Sequence, residues 1–460
     1  MAFTADRLAS ALEGCLAAVP RPASGLCVAL SGGLDSTVLL AGLALARAAS
    51  TWPPLRAAHV DHGLHADSAA WAERSALQAL GLGVPLVQVS VDARPAAGES
   101  PEAAARKARY AALASVLAPG ELLLTAHHAD DQLETVLLQW LRGGGLRSVA
   151  GMPAVAAFAA GWHARPLLGF SRAELHAWAQ ESGLTWLEDP SNLDRRFDRN
   201  YLRLEVLPAL RLRWPAAART VGRVALQAAE ALELEAAIAG SDLAAVEDGS
   251  AISLERLHRL PEPRQRRVLR AWLRRAGLPL PSARTLAALL HDVTRSAEDR
   301  IPCVNWPGAR VYRYRGRLFG TTGDIEATGA PSGGAWHPGM VFDLGSLGRL
   351  ELEAATGIGL SRARLPRDLQ VAWRATGELF RPAGAGHRRP LRKWLQQHGV
   401  LPWLRPRVPL VIAHGEIVAI GDLAYGHGFH AEPGEPSWVV AWQGRPVLTE
   451  QEALETPPKP

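Results

Sequence analysis

The first two hundred or so residues alternate short apolar runs with longer stretches of helical periodicity. The apolar runs that we assign to strands are 26–30, 55–60, 85–91, 121–125 and 164–168. The stretches that we assign to helices are 35–48, 66–80, 100–118, 130–142 and 172–182. Strands separated by helices in this way pair in parallel, with helices covering both faces of the sheet. The sequence therefore predicts an α/β fold whose ligands bind beyond the carboxyl ends of the strands.

Beyond this region the pattern changes twice. Residues 204–292 show helical periodicity and are rich in Ala, Leu and Arg, whereas 321–339 is dense in Gly, Pro, Ser and Thr, as is typical of a linker. Short strands follow at 340–352, 408–412 and 416–420, around one helix at 391–398. We therefore predict three domains: a parallel-sheet nucleotide-binding domain over 1–212, a mainly helical domain over 213–322 and a small α+β domain over 340–450.

Composition excludes several classes of protein. The 460 residues include only three cysteines, with no short spacing between them, which argues against a disulfide framework and against a cysteine-based metal site. No uncharged stretch is long enough to span a bilayer. We expect a soluble, cytoplasmic protein that makes no use of a membrane.

The first predicted strand leads directly into a loop suited to phosphate. The loop reads Ser31-Gly32-Gly33-Leu34-Asp35-Ser36 and is followed by an apolar helix. Two glycines let backbone N–H groups approach an anion, the serine hydroxyls can donate, and a helix N-terminus favours negative charge. The lysine of a Walker A loop is missing. We interpret the loop as a pyrophosphate cradle.

Ordinary turn chemistry is the alternative interpretation of this loop, and Asp35 argues against it. A carboxylate beside a phosphate group is repulsive unless a metal ion or another cation mediates between them. Asp35 therefore indicates a Mg²⁺ site next to the phosphates.

A second group of polar residues follows the fourth predicted strand, where the next predicted helix begins. Asp131 and Glu134 are three residues apart, so they lie on one face of that helix near its positive end. Acidic residues in a first helical turn are often only capping residues. Capping does not require the two histidines, His127 and His128, that precede them. We therefore assign this segment to the site.

These segments carry a resemblance to a known family. The string Ser31-Gly32-Gly33-x-Asp35-Ser36 matches the PP-loop signature of the ATP pyrophosphatases, and residues 125–135 resemble the corresponding motif of the tRNA(Ile)-lysidine synthetases. Residues 59–64, 142–153 and 188–203 extend the match over nearly all of 24–203. The chain departs from the family at Asp61, where Asn is usual, and at His65, where Arg is usual.

The resemblance implies roles for individual residues. ATP and Mg²⁺ are the expected cofactors, with Asp35 and Asp131 as metal ligands. The residues expected to bind ATP are Ser31, Gly32, Gly33, Leu34, Asp35 and Ser36. The residues expected in catalysis are Asp35, His127, Asp131, Glu134 and Arg199, with Arg203 as a weaker candidate. Arg106 and Arg109 are expected to meet phosphate or the lysine carboxylate, the alternative being a solvated salt-bridge face.

The resemblance also implies a reaction. Free lysine is joined to C2 of the wobble cytidine in the CAU anticodon of isoleucine tRNA, through an adenylated tRNA, and the products are lysidine, AMP and pyrophosphate. The partners expected are therefore isoleucine tRNA and free lysine, and the family also allows a homodimer.

Two basic clusters lie outside the nucleotide-binding region. Residues 256–275 contain eight arginines, and residues 374–407 contain eight Arg or Lys with a single acid, Glu378. Trp272, Trp394 and Trp403 interleave with them, a combination typical of surfaces that bind RNA.

A charge run is usually only a solvated face, so the first cluster stays open. We favour RNA binding for the second cluster because it resembles the C-terminal domain of long lysidine synthetases. Its expected tRNA contacts are Arg389, Arg392 and Lys393.

Three other functions fit this sequence less well. PP-loop tRNA thiolases generally use paired cysteines, which this chain lacks, and Cys27 is predicted inside a buried strand. An inert RNA-binding protein would not need an intact loop together with Asp131 and Glu134. PP-loop amide synthetases that act on small molecules would not need a basic C-terminal domain.

Overall fold

A computed structural model describes residues 2–48, 50–61, 63, 68–94, 101–188, 194–293, 301–322, 333–375 and 377–456, without the side chains of Pro101 and Glu102. The chain forms two compact units, residues 1–235 and 236–460, which are described separately. The three-domain division into 1–212, 213–322 and 340–450 stays a prediction.

A six-stranded sheet forms the centre of the first unit. Its strands are β1 (Leu26–Ala29), β2 (Leu55–Asp61), β3 (Leu86–Ser90), β4 (Leu122–Leu124), β5 (Val155–Phe158) and β6 (Gly161–Ala164). They lie in the order β3-β2-β1-β4-β6-β5, and all neighbours pair in parallel except β5 and β6. The predicted α/β class with a parallel sheet is confirmed.

Helices cover this sheet. Those of the first unit are α1 (Ala5–Ala17), α2 (Leu34–Arg47), α3 (Ser68–Gly81), α4 (Pro101–Val116), α5 (Ala129–Leu141), α6 (Leu146–Val149), α7 (Arg172–Glu181), α8 (Asp198–Tyr201) and α9 (Leu207–Arg213). A short π-helical turn (Leu202–Val206) joins α8 to α9, and α10 (Ala217–Val246) crosses the boundary between the units. Ser171 and Glu174 form a capping box at the start of α7.

Alternate residues of the buried strands pack on opposite faces of the sheet. Leu26, Val28 and Leu122 belong to one core cluster, whereas Cys27 and Leu123 belong to another. All five of these side chains are fully buried because helices lie on both sides of the sheet. This explains the continuous apolar runs in the sequence. The prediction that Cys27 lies inside a buried strand is confirmed.

The fifth predicted strand, 164–168, is misplaced. The strand that pairs with β4 is β6, and β5 is an additional antiparallel edge strand before it. The apolar residues Pro166, Leu167 and Leu168 suggested a strand, but the chain already leaves the sheet after Ala164. The true strand contains His163, a polar residue that is buried because it has hydrogen-bonding partners.

The second unit continues with α11 (Leu254–His258), α12 (Glu262–Arg275), α13 (Ala283–Ala288) and a π-helical turn (Leu289–Val293). An antiparallel sheet in the order β7-β8-β11-β10-β9 lies among them. Its strands are β7 (Glu247–Asp248), β8 (Ala251–Ser253), β9 (Cys303–Trp306), β10 (Ala309–Tyr314) and β11 (Arg317–Thr322). Strands β7 and β8 are too short for a strand periodicity to stand out in the sequence.

The rest of the second unit is mostly antiparallel sheet. One sheet has the order β12-β16-β19-β20-β21, a second has the order β13-β14-β22-β15, and β17 pairs with β18. The strands are β12 (Gly334–Trp336), β13 (Phe342–Asp343), β14 (Arg349–Thr356), β15 (Leu360–Ser361), β16 (Leu369–Ala372), β17 (Leu379–Phe380), β18 (Arg389–Pro390), β19 (Leu410–Ala413), β20 (Glu416–Ile420), β21 (Ala424–Tyr425) and β22 (Pro436–Gln443). The helices are α14 (Leu391–Gln397) and α15 (Glu450–Glu455), with short 3₁₀ turns at Gly345–Leu347 and Arg405–Arg407. This agrees with the predicted α+β character.

The tryptophans of the two basic clusters are core residues. Trp272, Trp394 and Trp403 are 3%, 3% and 9% exposed, and Trp403 stacks on Tyr312 with ring centres 4.2 Å apart. The three rings are therefore part of the core, and an RNA-binding surface at these clusters must be formed by their charged side chains.

Candidate active site

The phosphate loop lies at the carboxyl end of β1, where the chain turns into α2. Gly32 has φ of +79°, and a Cβ atom there would lie 2.6 Å from Leu187 Cδ1 and 2.9 Å from Ser75 Oγ. The Leu187 N–H donates to the Gly32 carbonyl at 2.8 Å. Glycine is therefore required at this position, because the backbone conformation has a positive φ and because Leu187 approaches too closely for a side chain to fit.

The two serines of the loop hold its shape. Their hydroxyl oxygens are 3.0 Å apart, and the Ser36 hydroxyl also donates to the Gly33 carbonyl at 3.1 Å. Gly33 is the N-cap of α2 and has no side chain with which to cap the helix. The first turn of α2, which contains Leu34, Asp35 and Ser36, thus presents backbone N–H groups at the positive end of the helix dipole.

Asp35 meets a histidine from the neighbouring strand-to-helix junction. Its Oδ2 lies 3.6 Å from Nε2 of His128, whereas its Oδ1 is buried with no hydrogen-bond partner in the described part of the chain. Burial raises the pKa of Asp35, but the hydrogen bond and charge of His128, with Arg172 and Arg203 nearby, outweigh burial and lower that pKa below its ordinary value. Asp35 is therefore an anionic side chain with one oxygen left for a ligand.

His128 also caps α5. Its backbone N–H donates to Asp131 Oδ2 at 3.1 Å, and its Nδ1 accepts from the Asp131 N–H at 3.2 Å. Because Nδ1 accepts, the ring proton of neutral His128 is on Nε2, which faces Asp35. Burial would lower the pKa of His128, but the carboxylates of Asp131, Asp35 and Asp130 raise it overall.

Two arginines bind the carboxylates on α5. Arg199 Nε donates to Glu134 at 2.8 Å, and Arg203 donates to both oxygens of Glu134 at 2.8 and 2.9 Å. Both guanidinium groups also reach Asp131 Oδ1, at 3.2 and 3.3 Å. Glu134 is 1% exposed, so its negative charge is stable there only because two cations bind it. Arg203, a weaker candidate in the sequence, is as closely engaged as Arg199.

His127 points away from these carboxylates and bonds to other partners. Its Nδ1 is 2.7 Å from the Thr125 hydroxyl, which is also 2.7 Å from Nε2 of His163, and His163 Nδ1 is 3.2 Å from Arg165. Burial, followed by Arg165, Arg106 and Arg199, lowers the pKa of His127 well below its ordinary value. The sequence did not single out His163 or Arg165, because a lone histidine followed by an arginine carries no recognisable pattern.

The phosphate loop and His127 border one cavity of about 540 Å³. Among the residues that line it are Ser31, Asp35, Arg109, Thr125 and His127. The crevice thus joins the carboxyl ends of β1 and β4, as expected for a parallel sheet.

Arg106 and Arg109 lie on α4 beside Tyr110. Their guanidinium carbons are 5.0 and 5.5 Å from the centre of the Tyr110 ring. Arg106 is exposed and Arg109 is half-buried. Burial lowers the pKa of Arg109, followed by the charges of Arg106 and Arg199, so this corner of the site is rich in positive charge.

Some sequence predictions lie outside the described residues: the side chain of Glu102, the residues His62 and His65, and the segment 189–193. His59 is described; it is buried, and its Nδ1–H donates to the Leu30 carbonyl at 2.8 Å. His59 therefore helps to fix the strand end from which the loop starts.

The predicted tRNA contacts lie in the second unit. Arg389 is on β18, and Arg392 and Lys393 are exposed on α14. Arg388 beside them forms an ion pair with Glu416. Within the described residues neither Arg392 nor Lys393 forms an ion pair, so both can reach a polyanion.

Comparison with known proteins agrees with this geometry. A PP-loop domain model matches residues 5–210, a TilS substrate binding domain model matches 252–319 and a TilS substrate C-terminal domain model matches 369–442. The tRNA(Ile)-lysidine synthase of Alkalilimnicola ehrlichii is 44% identical over 422 residues, covering 91% of this chain and 94% of that protein.

The chain belongs to the tRNA(Ile)-lysidine synthase family. The synthases of Methylococcus capsulatus and Pseudomonas aeruginosa are each 40% identical, over 92% of this chain and 97% and 94% of those proteins. As a member of a PP-loop family, this lysidine synthase relative is an ATP-using enzyme. The resemblance inferred from the loop and from residues 125–135 is confirmed.

Proposed function

We propose that the chain joins free lysine to C2 of the wobble cytidine in the CAU anticodon of isoleucine tRNA, with ATP as the second substrate. The products are lysidine in the tRNA, AMP and pyrophosphate. The observation that carries the proposal is similarity to lysidine synthases along 91% of the chain. It is supported by an intact phosphate loop whose Asp35 lies against His128, the same imidazole that contacts Asp131 of α5.

In the first step, the C2 oxygen of the cytidine attacks the α-phosphate of ATP and pyrophosphate leaves. Ser31, Ser36 and the N–H groups at the start of α2 bind the phosphates, since hydroxyls and a helix N-terminus both stabilise negative charge. Arg199 and Arg203 lie near enough to Asp131 and Glu134 to balance their charge. The phosphates therefore do not meet an uncompensated cluster of carboxylates.

The residues present fit Mg²⁺ only together with the phosphates of ATP. Among the described residues, no three His, Cys, Asp or Glu side chains are placed to hold a metal ion by themselves. Mg²⁺ is usually held by one or two carboxylates plus phosphate oxygens and water. The unpartnered Oδ1 of Asp35 fits such a site. When bound, the ion neutralises charge on the phosphates.

Asp131 is a less direct ligand for the metal. Its Oδ1 accepts from Arg199 and Arg203, and its Oδ2 accepts from the His128 N–H. These bonds occupy three of the roughly four acceptor positions of the carboxylate, so Asp131 has less room for a metal ion than Asp35. The assignment of Asp131 as a second ligand stays a prediction.

In the second step, the ε-amine of lysine attacks C2 and AMP leaves. The amine must first lose a proton, which costs about 4.6 kcal/mol at pH 7 for a pKa near 10.4. A base, or desolvation beside cations, lowers this cost. We assign the base to the carboxylate pair Asp131 and Glu134, and binding of the lysine carboxylate to Arg106 or Arg109.

The partners follow from this reaction. Exposed Arg392 and Lys393, with Arg389, contact the phosphate backbone of the tRNA. The family also suggests a homodimer in the cytoplasm. Within the described residues no helix is both long enough and apolar enough to cross a bilayer.

Sulfur transfer is not favoured as an alternative. Cys15 and Cys27 are buried, and burial raises the pKa of each thiol to about 11. A thiol with such a pKa is a poor source of the thiolate that sulfur chemistry needs. Cys303, which is exposed, lies in the second unit.

The test is incorporation of radiolabelled lysine into a transcript of isoleucine tRNA with a CAU anticodon, with ATP and Mg²⁺. Methionine tRNA is the control transcript, and Asp6→Ala, which removes an exposed carboxylate on α1, is the control for Asp35→Ala. We expect label in the isoleucine transcript, with wild-type and Asp6→Ala protein but not with Asp35→Ala. Pyrophosphate release without lysine incorporation would show adenylation with a different nucleophile.

A further inference from the structure

A line of hydrogen-bonding side chains extends from His127 into the first unit. Thr125, His163 and Arg165 follow one another at 2.7, 2.7 and 3.2 Å. The three are 7%, 4% and 9% exposed, respectively. Buried polar side chains are costly unless they are hydrogen-bonded, so this line is an ordered feature of the fold.

The sheet register brings these groups together. Leu123 on β4 pairs with His163 on β6, and the Thr125 N–H donates to the Ala164 carbonyl at 3.1 Å. Arg165, which follows β6, is further anchored by a bond from its Nη1 to the Pro153 carbonyl at 2.7 Å. The parallel pairing of β4 with β6 thus places the whole line directly behind the site.

Each bond in the line has a fixed direction. An arginine side chain can only donate, so Nδ1 of His163 must accept from Arg165. Neutral His163 then carries its proton on Nε2 and donates it to the Thr125 oxygen. The Thr125 hydroxyl has one proton, which is left for Nδ1 of His127. His127 must therefore carry its own proton on Nε2.

We propose that Arg165, His163 and Thr125 hold His127 as the Nε2–H tautomer, so that His127 donates a hydrogen bond to a phosphate oxygen of ATP. This rests on the proposed adenylation reaction. Thr125, His163 and Arg165 are positioning residues, since they act through the orientation and tautomer of His127.

The electrostatics of the surroundings agree with a neutral ring. Burial, with Arg165, Arg106 and Arg199, lowers the pKa of His127. Burial, with Arg165, Arg106 and Arg109, lowers the pKa of His163 to about 3. A neutral Nε2–H group can donate to the charge that develops on the α-phosphate during attack. It cannot act as a base through the same nitrogen, which separates its role from that of the carboxylates on α5.

The first test reads the tautomer directly and does not depend on activity. The full chain is labelled with ¹⁵N-histidine, without ligands at pH 7.5, and the His127 signals are identified by their loss in His127→Gln. We expect a protonated Nε2 and an unprotonated Nδ1. A protonated Nδ1, alone or in an imidazolium, overturns the proposal.

The second test uses two substitutions at Thr125 that differ in one hydroxyl group. Thr125→Val keeps the shape and removes the hydroxyl, whereas Thr125→Ser keeps the hydroxyl. Pyrophosphate release with isoleucine tRNA is measured over a range of ATP concentrations. We expect Thr125→Val to lower kcat by about 10²-fold, with KM for ATP changed by less than about threefold. Thr125→Ser should keep kcat within about threefold of wild type.

The outcomes separate this proposal from the proposed function. If wild type releases pyrophosphate and Thr125→Val is as fast, the positioning role is wrong while adenylation stands. If wild type releases none, the proposed function is wrong, and the NMR spectrum alone decides the tautomer. The NMR spectrum of wild type also decides it if Thr125→Val does not fold.

Discussion

His127 and His128 are adjacent in the chain, yet they face oppositely charged surroundings. His128 lies against the carboxylates of Asp35 and Asp131. His127 lies on the other side of the same strand-to-helix junction, where Thr125 connects it to His163 and Arg165 is close by. Burial lowers the pKa of both rings, but neighbouring charge then raises the pKa of His128 and lowers that of His127 further.

The contrast shows how one junction serves two kinds of chemistry. The His128 side carries anionic groups, which suit a metal ion and proton removal. The His127 side carries neutral donors and cations, which suit a phosphate group. Two identical side chains thus acquire different roles from the elements packed against them.

The largest loss of activity is expected when a carboxylate near His128 is neutralised. Asp35→Asn keeps the size of the side chain but removes the charge beside the phosphate loop. Because a site group that stabilises transition-state charge is worth about 10²–10³-fold in rate, we expect pyrophosphate release to fall by about 10³-fold. Stopped assays of pyrophosphate with isoleucine tRNA measure this, and Asp6→Asn is the control. A loss below tenfold would contradict the role given to Asp35.

Glu134→Gln tests the carboxylate pair in the second step. We expect lysine transfer from preformed adenylated tRNA to slow by about 10²-fold, because the pair loses its capacity to take a proton. The measurement is single-turnover transfer of labelled lysine. Asp130→Asn is the matched control, since Asp130 is a buried carboxylate on the same helix that pairs with Arg211. Unchanged transfer in Glu134→Gln would assign the base elsewhere.

The neutral state of His163, which connects to His127 through Thr125, is tested by the dependence of stability on pH. His163 has a folded pKa of about 3, below the ordinary 6.5, because burial and Arg165 disfavour its cation. Below pH 6.5 the unfolded chain binds a proton that the folded chain does not. As the pH is lowered from 6 to 4, the free energy needed to open the sheet around His163 should therefore fall by about 1.4 kcal/mol per pH unit. Above pH 7 it should not depend on His163.

Hydrogen exchange of β4 peptides at several pH values measures this, after correction for the intrinsic pH dependence of exchange. His163→Gln is the reference, because glutamine has no proton to gain in this range. An equal pH dependence in wild type and His163→Gln would show that His163 is not held neutral.

The smallest effect is expected in the second unit, where arginines that form ion pairs can be compared with cations that form none among the described residues. Arg259 and Arg266 of the first basic cluster form ion pairs with Glu255 and Glu262 on their own helices. Arg392 and Lys393 have no such partners in the described chain. We expect the double variant Arg392→Ala with Lys393→Ala to weaken tRNA binding several-fold. The slope of log binding constant against log salt concentration should become shallower by about one for each residue removed, as for the loss of one phosphate contact each.

The control is Arg259→Ala with Arg266→Ala, which removes the same charge from two exposed positions. Filter binding of isoleucine tRNA at several salt concentrations provides the comparison. Equal losses in the two double variants would mean that tRNA affinity depends on total charge and not on the second cluster.

Much of this site could be predicted from the sequence, because its central residues form short local patterns. The phosphate loop, the strand before it and the carboxylates of α5 are contiguous motifs. The partners that set the properties of those residues are distant in sequence. Arg203 is 69 residues from Glu134, and His163 is 38 residues from Thr125.

The misplacement of the fifth strand explains why the line behind His127 was missed. With the strand assigned to 164–168, His163 falls before the strand, and no register brings it next to Thr125. Strands were predicted from runs of apolar residues, and a polar residue such as His163 interrupts such a run in a short strand. The fold class was unaffected, because it rests on the alternation of elements and not on any one border.

We infer that the site adenylates the tRNA before lysine takes part. The most direct measurement incubates the chain with ATP labelled at the α-phosphate, Mg²⁺ and isoleucine tRNA, without lysine. We predict that label becomes attached to the tRNA, and that adding lysine releases it as AMP. Absence of labelled tRNA, with pyrophosphate formed only when lysine is present, would contradict the account.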